Sequence, residues 1–127
     1  MPQGGVARRA TKINEIRNKT RNTVLLLDAG NTLFGEFLAN QSGGRVVVEA
    51  MNAMRYDAMA IGWMDLSKGP DALLACSREA RFPILCCNLV SKADQKPLLA
   101  PYTVIERDGM RLGIIGVTEP EAATAPG

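Results

Sequence analysis

The chain has 127 residues, of which 46% are hydrophobic and 22% charged, and its formal net charge is +2. These values predict a single globular domain over residues 1–127 and exclude a largely disordered chain. They give no reason to expect a polyanionic partner. The sequence has no apolar run near the roughly 18 residues that a membrane span needs. Because residues 1–5 lack the pattern of a secretory signal, a cytoplasmic location is predicted.

The positive charge is concentrated at the start of the chain. Residues 1–22 contain six basic side chains and one acidic side chain, for a net charge of +5. Such a segment is either a solvated helix face or a contact for phosphate or lipid headgroups. Since few aromatic side chains lie nearby to stack on bases, we predict no nucleic-acid partner. The basic residues are Arg8, Arg9, Lys12, Arg17, Lys19 and Arg21, against Glu15.

The first half of the chain alternates between helical and extended patterns. Apolar residues at spacings of three and four predict a helix over Val6–Ile16. Thr23–Leu27 then predicts a buried strand that closes on Asp28. A second helix is predicted over Val46–Met54, and a second buried strand over Tyr56–Ile61.

The second half continues the alternation and ends in a hairpin. Asp71–Arg81 predicts a helix, with Pro70 suited to its start, and Phe82–Val90 predicts a third strand. Asp108-Gly109 between two β-rich runs predicts an antiparallel hairpin. Its strands are expected at Tyr102–Glu106 and Met110–Val117. We expect residues 118–127 to form a flexible tail.

Together these elements predict an α/β fold. The sheet should be mostly parallel, with flanking helices and a C-terminal antiparallel hairpin. In such sheets, sites gather in the loops beyond the carboxyl ends of the strands. The two loops to consider are therefore Leu27–Gly35 and Ala60–Asp65. Three cysteines, Cys76, Cys86 and Cys87, lack metal-ligand spacing and are predicted to be buried free thiols.

A series of short motifs runs through most of the chain in one register. They are Gly-Gly-x-Ala-Arg at 4–8, Leu-Leu-Asp-Ala-Gly at 26–30, Val-Glu-Ala-Met-Asn-Ala-Met-x-Tyr-Asp-Ala at 48–58, Phe-Pro-Ile-Leu-x-x-Asn-Leu at 82–89, Pro-Tyr at 101–102 and Gly-x-x-Leu-Gly-Ile-Ile-Gly-Val-Thr at 109–118. This order resembles the 5′-nucleotidase branch of the calcineurin-like metallophosphoesterases. That branch includes sugar-nucleotide hydrolases and the thiosulfohydrolases of sulfur oxidation.

The resemblance implies a two-metal hydrolase fold, of which this chain would supply about half of the two-sheet sandwich. A pair of divalent cations would hold phosphate and a bridging hydroxide. The family places a metal-bridging aspartate where this chain has Asn31. Its second loop reads Gly-Asn-His-acid, and the corresponding residues here are Gly62, Trp63, Met64 and Asp65.

These departures bear on the chemistry that the resemblance implies. Asn31 lacks the charge of a bridging carboxylate, neither Trp63 nor Met64 replaces the hard oxygen or imidazole ligand, and Asp65 has no histidine to orient. The chain contains no histidine at all. The family's other histidine motifs lie upstream and downstream of the segment that this sequence matches. We therefore predict that the metal pair is lost, that no cofactor is bound and that the chain is not an enzyme by itself.

Two residues keep alternative interpretations. Asp28 is either a structural carboxylate that accepts amides of its own turn, or a ligand of one weakly held cation together with Asn31 and Asp65. Trp63 either fills the vacated metal pocket or anchors a protein partner, because tryptophan is enriched at binding hot spots.

Three functional hypotheses follow from the sequence. The first is a non-catalytic structural or protein-binding module, in an oligomer or larger complex. Its partner would be itself or another protein, docked on a sheet face that half a sandwich leaves uncovered. The second is a residual phosphoesterase, or one whose missing ligands come from another chain. The third is a decayed fragment without selected activity.

Overall fold

The computed structural model describes residues 4–119. Helices and strands alternate along this part of the chain, as the sequence predicts. The helices are α1 (Val6–Lys19), α2 (Phe37–Gln41), α3 (Arg45–Met54) and α4 (Pro70–Glu79), with a 3-10 turn at Trp63–Leu66. The strands are β1 (Leu27–Asp28), β2 (Ala58–Ala60), β3 (Ile84–Leu85), β4 (Tyr102–Arg107) and β5 (Met110–Ile115).

Strands β1, β2 and β3 form a parallel sheet in that order, and β4 and β5 form an antiparallel pair. The hairpin joins the parallel sheet at its root, where the Cys87 amide donates to the Gly116 carbonyl at 2.8 Å. Leu85 also bridges to Ala100 in parallel register. The predicted fold class is therefore confirmed: a parallel sheet with flanking helices and a C-terminal hairpin.

The prediction makes all three strands of the parallel sheet too long, and the first and third by the most. Of the predicted strand Thr23–Leu27, only Leu27 pairs in the sheet. Before Leu27, side chains rather than a neighbouring strand bond to the backbone. The Leu26 amide donates to Asp57, and the Val24 carbonyl accepts from Arg107. The predicted strand Phe82–Val90 is paired in the sheet only at Ile84–Leu85.

Helix α2 is absent from the sequence prediction. Its two large apolar residues, Phe37 and Leu38, are 75% and 65% exposed. These two residues do not form the apolar face, repeated every three to four residues, by which a helix is predicted from sequence. Helix α1 also runs three residues further than predicted, to Lys19.

The core lies between the helices and one face of the parallel sheet. Met59 and Ile84 point from adjacent strands toward Val48 and Met51 of α3 and Leu73 of α4, and all five side chains are buried. Burying side chains of this kind contributes about 1.5–3 kcal/mol each.

The opposite face of the parallel sheet is covered only in part. The hairpin side chain Ile114 and Gly116 lie over it and leave an open cavity of about 240 Å³. The cavity is lined on the sheet side by Leu27, Ala58 and Leu85. Leu27 is 48% exposed, so apolar surface of the sheet remains accessible there.

The hairpin turn has the geometry that its sequence predicts. Asp108 and Gly109 have φ angles of 52° and 76°, so both adopt the left-handed conformation of a type I′ turn. At the base of the turn, Arg107 donates to the Asp57 carboxylate at 2.6 Å and to the Val24 carbonyl at 3.0 Å. The hydrogen bond and charge of Asp57 raise the pKa of the Arg107 guanidinium. These contacts tie the hairpin to the segments that precede β1 and β2.

The start of the predicted tail is part of the fold. Thr118 is buried, and its backbone amide and carbonyl both bond to the Asn88 side chain, at 3.0 and 2.6 Å. Ordered structure therefore extends at least to Thr118, while residues 120–127 of the predicted tail lie outside the described residues. Within residues 4–119, none of the helices is long and apolar enough to cross a membrane.

The cysteines differ in accessibility. All three are free, and Cys76 and Cys86 are buried as predicted. The prediction is wrong for Cys87, which is exposed because it follows the end of β3 and only its backbone pairs with the hairpin root. Burial, with added repulsion from Glu79 and Asp65, raises the pKa of the Cys76 thiol.

We expect one fast-reacting thiol in the folded chain, because the reactive species is an accessible thiolate. Titration with a chromogenic disulfide reagent at pH 8 should give a burst of one thiol per chain, and three after unfolding. Cys87→Ser should abolish the burst, whereas Cys86→Ser should leave it intact. A burst of two or three thiols from the folded chain would contradict the burial of Cys76 and Cys86.

Candidate functional site

The loops that follow β1 and β2 lie against each other at the carboxyl edge of the sheet. Gly30 in the first loop packs on the backbone of the second. A Cβ atom at Gly30 would lie 2.4 Å from the Gly62 nitrogen and 2.6 Å from the Ile61 carbonyl carbon. Gly30 also has a φ of 98°, which L side chains rarely adopt. Only glycine permits this approach without a shift of the backbone.

Asp65 holds the two loops together. Its side chain is fully buried in the 3-10 turn and faces the backbone of the first loop. One carboxylate oxygen, Oδ2, accepts the amides of Asn31 at 2.7 Å and Gly62 at 2.9 Å. The other oxygen, Oδ1, accepts the amides of Thr32 at 3.0 Å and Leu33 at 2.8 Å. These four bonds match the roughly four acceptor positions of a carboxylate.

Asn31 bonds across the same junction. It has a φ of 60°, a left-handed conformation that asparagine tolerates better than most residues. Its Oδ1 accepts the Met64 amide at 2.9 Å. Gly62 lies directly beneath this amide group, since a Cβ atom there would be 2.2 Å from Asn31 Oδ1. The side chain of Asn31 thus bonds to the second loop.

Asp28 lies at the end of β1 and bonds within its own turn. Its Oδ1 accepts the Gly30 amide at 2.9 Å and the Thr32 hydroxyl at 2.8 Å. This is the pattern by which aspartate stabilises a turn through its own backbone.

Trp63 and Met64 are the two residues that the resemblance aligns with an asparagine and a histidine. The Trp63 side chain is 52% exposed at the surface of the loop pair. Met64 instead reaches toward the first loop, because a Cβ atom at Gly35 would lie 2.8 Å from the Met64 terminal methyl carbon. Of these two side chains, the thioether of Met64 therefore lies against the first loop, while the indole of Trp63 faces solvent over about half of its surface.

The donor set of these loops does not fit a pair of divalent cations. Asp65 directs both oxygens to backbone amides, and Asn31 directs its oxygen to Met64. Trp63 and Met64 add no hard ligand. Among residues 4–119, no group of three or more histidine, cysteine, aspartate or glutamate side chains is placed to hold a metal ion.

The structure thus brings Asn31, Met64 and Asp65 into one bonded cluster, with Asp28 linked to it through Thr32. The sequence alone indicates Asp65 only as an acid left without its histidine, and its role in joining the loops is not predicted. A local signal for that role exists: Gly62-Trp63-Met64-Asp65 places an acid at the third residue of a helical turn. There it bonds back to the amide that precedes the turn, as in a capping box.

The sequence and the fold of the chain are similar to those of known proteins. The chain is 44% identical over 123 residues to a snake venom 5′-nucleotidase from Naja atra, and the match covers 93% of this chain and 23% of that protein. A 5′-nucleotidase precursor from Thermus thermophilus has a TM-score of 0.84 and 36% identity, covering 94% of this chain and 24% of that structure. A calcineurin-like phosphoesterase from Bacillus subtilis has a TM-score of 0.81 and 27% identity, covering 98% and 43%. No protein-family model matches the sequence.

The fold is therefore part of the metallophosphoesterase fold. Within that class, the chain matches a segment of proteins of the 5′-nucleotidase-type branch of the calcineurin-like metallophosphoesterases, as the motif order indicates. It spans about a quarter of the length of the curated relatives that it matches.

Proposed function

We propose that this chain is a non-catalytic metallophosphoesterase-like module with a structural or protein-binding role, in an oligomer or a larger complex. The observation that carries the proposal is the bonding of Asp65. Its carboxylate holds four backbone amides of the loop pair, so the loops form a folded unit that directs this charge inward. The proposal includes loss of the divalent metal pair and no replacement cofactor.

Apolar side chains at the mouth of the loop pair support a binding role. Trp63 is about half exposed, and Phe37 and Leu38 of α2 are more exposed still. Helix α2 begins two residues after Gly35, which the Met64 side chain approaches. Large apolar side chains that are exposed near one another are a feature of interaction sites. In the proposal, Trp63 anchors the partner.

The partly covered sheet face supports docking of a second protein or a second copy. On the outer face of the hairpin, Tyr102 lies opposite Ile115, and they are 60% and 66% exposed. Val104 continues this face and is 45% exposed. Together with Leu27 at the open cavity, these residues give an apolar surface that association would remove from water.

Light scattering across a dilution series tests self-association. We expect species larger than the monomer, and Ile115→Glu should weaken the association about tenfold or more, since it places a charge in an apolar contact. Val6→Glu is the matched control, because Val6 is 56% exposed at the start of α1 and should leave the association unchanged. A dispersed monomer at low micromolar concentration would contradict self-association. The proposal would then rest on a partner of different sequence.

Metal analysis of the purified chain tests the loss of catalysis. We expect less than one transition-metal ion per chain after purification without chelator, and no hydrolysis of phosphate monoesters above the buffer rate. The physical reason is that Asp65 and Asn31 direct their oxygens to amides. Two stoichiometric transition metals per chain would overturn the proposal.

The alternative is a residual or chain-complemented metal-dependent phosphoesterase, similar to the 5′-nucleotidases that the chain matches. It is supported by the short span of the match and by the half-buried carboxylate of Asp28 at the carboxyl end of β1. Loss of bound metal in Asp28→Asn, with retained folding, would favour this alternative. A decayed fragment would instead show no cooperative unfolding.

The proposal retains a cytoplasmic location. Free cysteines support it, since none of the three thiols within residues 4–119 forms a disulfide and thiols persist in reducing compartments. The Naja atra relative is a venom protein. Fractionation of the source cells, with detection of the chain by antibody, distinguishes a cytoplasmic location from secretion.

A further inference from the structure

An open pocket lies at the amino-terminal edge of the parallel sheet, opposite the loop pair. It has a volume of about 310 Å³ and is lined by Arg17, Arg55 and Arg107, together with Asn22, Val24 and Asp57. These residues come from α1, the end of α3, the segments before β1 and β2, and the end of β4. Three stretches of the chain therefore bring three guanidinium groups to one concave surface, and these stretches are residues 17–24, 55–57 and 107.

Two of the three guanidinium groups are held in place before any ligand arrives. Arg17 donates to the carbonyls of Met54 at 2.7 Å and Arg55 at 2.9 Å, where α3 ends. Arg107 is held by Asp57 and the Val24 carbonyl, as described for the hairpin. A guanidinium has five N–H donors, so each group keeps donors beyond those that fix it. Preorganised donors reduce the entropy that binding costs.

The charges of the pocket favour an anion of about two negative charges. Asp57 is its one acidic lining residue, and this carboxylate is occupied by Arg107 and the Leu26 amide. Arg17 covers the last carbonyls of α3, which otherwise present the negative end of the helix dipole. Among the residues that the structure describes, Arg55 forms no ion pair with a carboxylate. Three positive charges and one negative charge among the lining residues leave a formal balance of +2, and Asp108, which bonds to Thr23 beside the pocket, is an acid outside this lining.

We propose that this pocket binds the dianionic phosphate group of a small molecule or lipid, with Arg17, Arg55 and Arg107 as its ligands. Planar guanidinium groups match the oxygens of phosphate in pairs. A phosphate monoester carries about −1.5 to −2 at pH 7, which corresponds to the charge of the pocket. The site is separate from the loop pair, so it does not depend on the function proposed above. It also gives one member of the basic N-terminal segment, Arg17, a specific role.

Titration of the 127-residue chain with inorganic phosphate, followed by amide chemical shifts at constant ionic strength, tests the proposal. We expect saturable shifts near Arg17, Arg55 and Arg107. Arg55→Gln should weaken binding about tenfold, since it removes charge-assisted hydrogen bonds. This variant keeps the Cβ atom at the left-handed residue 55, and circular dichroism checks its folding. Arg78→Gln, an exposed arginine of α4, is the matched control and should bind as the unchanged chain does.

A second arm identifies the source of the phosphate group. Vesicles of phosphatidylcholine with phosphatidic acid present a phosphate monoester, whereas vesicles with phosphatidylglycerol present an anionic diester. Binding of inorganic phosphate that Arg55→Gln weakens supports a free or small-molecule source. Binding to phosphatidic acid vesicles alone, with the same dependence on Arg55, supports a lipid source. Absence of binding in both arms, or an equal loss in Arg78→Gln, overturns the proposal.

Discussion

Replacing Asp65 with asparagine is expected to lower the free energy of unfolding by about 4 kcal/mol. Asparagine keeps one acceptor oxygen, but its NH₂ group faces two of the four amides and leaves them unsatisfied in a buried position. Each hydrogen bond to a charged group contributes about 1.5–3 kcal/mol, and an unsatisfied buried donor costs about 1–3 kcal/mol. The loss approaches the whole stability of a small domain.

Urea unfolding followed by far-UV circular dichroism measures this loss. Asp71→Asn is the matched control, because Asp71 is an exposed carboxylate in the first turn of α4. It should cost no more than about 1 kcal/mol, through the helix dipole. If Asp65→Asn unfolds at the same urea concentration as the unchanged chain, the assigned role of Asp65 is wrong.

Replacing Gly30 with alanine is expected to cost about 3 kcal/mol of stability. The new methyl group would meet the backbone of Gly62 and Ile61 at 2.4 and 2.6 Å, so the backbone of at least one loop must shift. Overpacking costs about 1–3 kcal/mol, and a left-handed backbone adds about 1–2 kcal/mol for a residue with a Cβ atom.

Gly109→Ala separates these two contributions. Gly109 has a φ of 76°, but a Cβ atom there would meet nothing within 4 Å. It should therefore show the backbone cost alone, about 1–2 kcal/mol. Equal losses for Gly30→Ala and Gly109→Ala would show that the loops do not approach each other as described. Since Gly30 and Asp65 act on the same junction, the losses of Gly30→Ala and Asp65→Asn should not add in the double variant.

Much of the fold is readable from local chemistry. Val6–Ile16 and Val46–Met54 show helical spacing because one side of each helix packs on the core. The hairpin is predictable because Asp108-Gly109 suits a turn in which both residues are left-handed. The lengths of the strands cannot be predicted from the sequence in the same way. A residue such as Val24 is apolar whether its carbonyl meets a strand or, as here, the guanidinium of Arg107.

The position of the candidate site can be predicted from the sequence, but its hydrogen bonds cannot. The two loops follow β1 and β2, so the topology predicts that they meet. The resemblance puts Asn31 at the position of the bridging metal ligand and Asp65 at the position of the acid that orients a histidine, and one weakly held cation is the alternative for both. In the structure both bond to backbone amides of the opposite loop, which are contacts that residue types alone do not specify. The pocket of Arg17, Arg55 and Arg107 depends on three distant stretches of the chain and has no sequence motif.

The bonding of the loop pair has a consequence for how this sequence tolerates change. The junction depends on a glycine, a buried carboxylate and main-chain amides, whereas the side chain of Trp63 is about half exposed. At position 31, aspartate and asparagine offer the same oxygen to the Met64 amide. Position 31 can therefore change between these two residues without unfolding the chain, whereas Gly30 and Asp65 cannot be replaced without loss of contacts. The contacts that hold the loop pair together are thus distinct from the metal contacts that the proposed function takes to be lost.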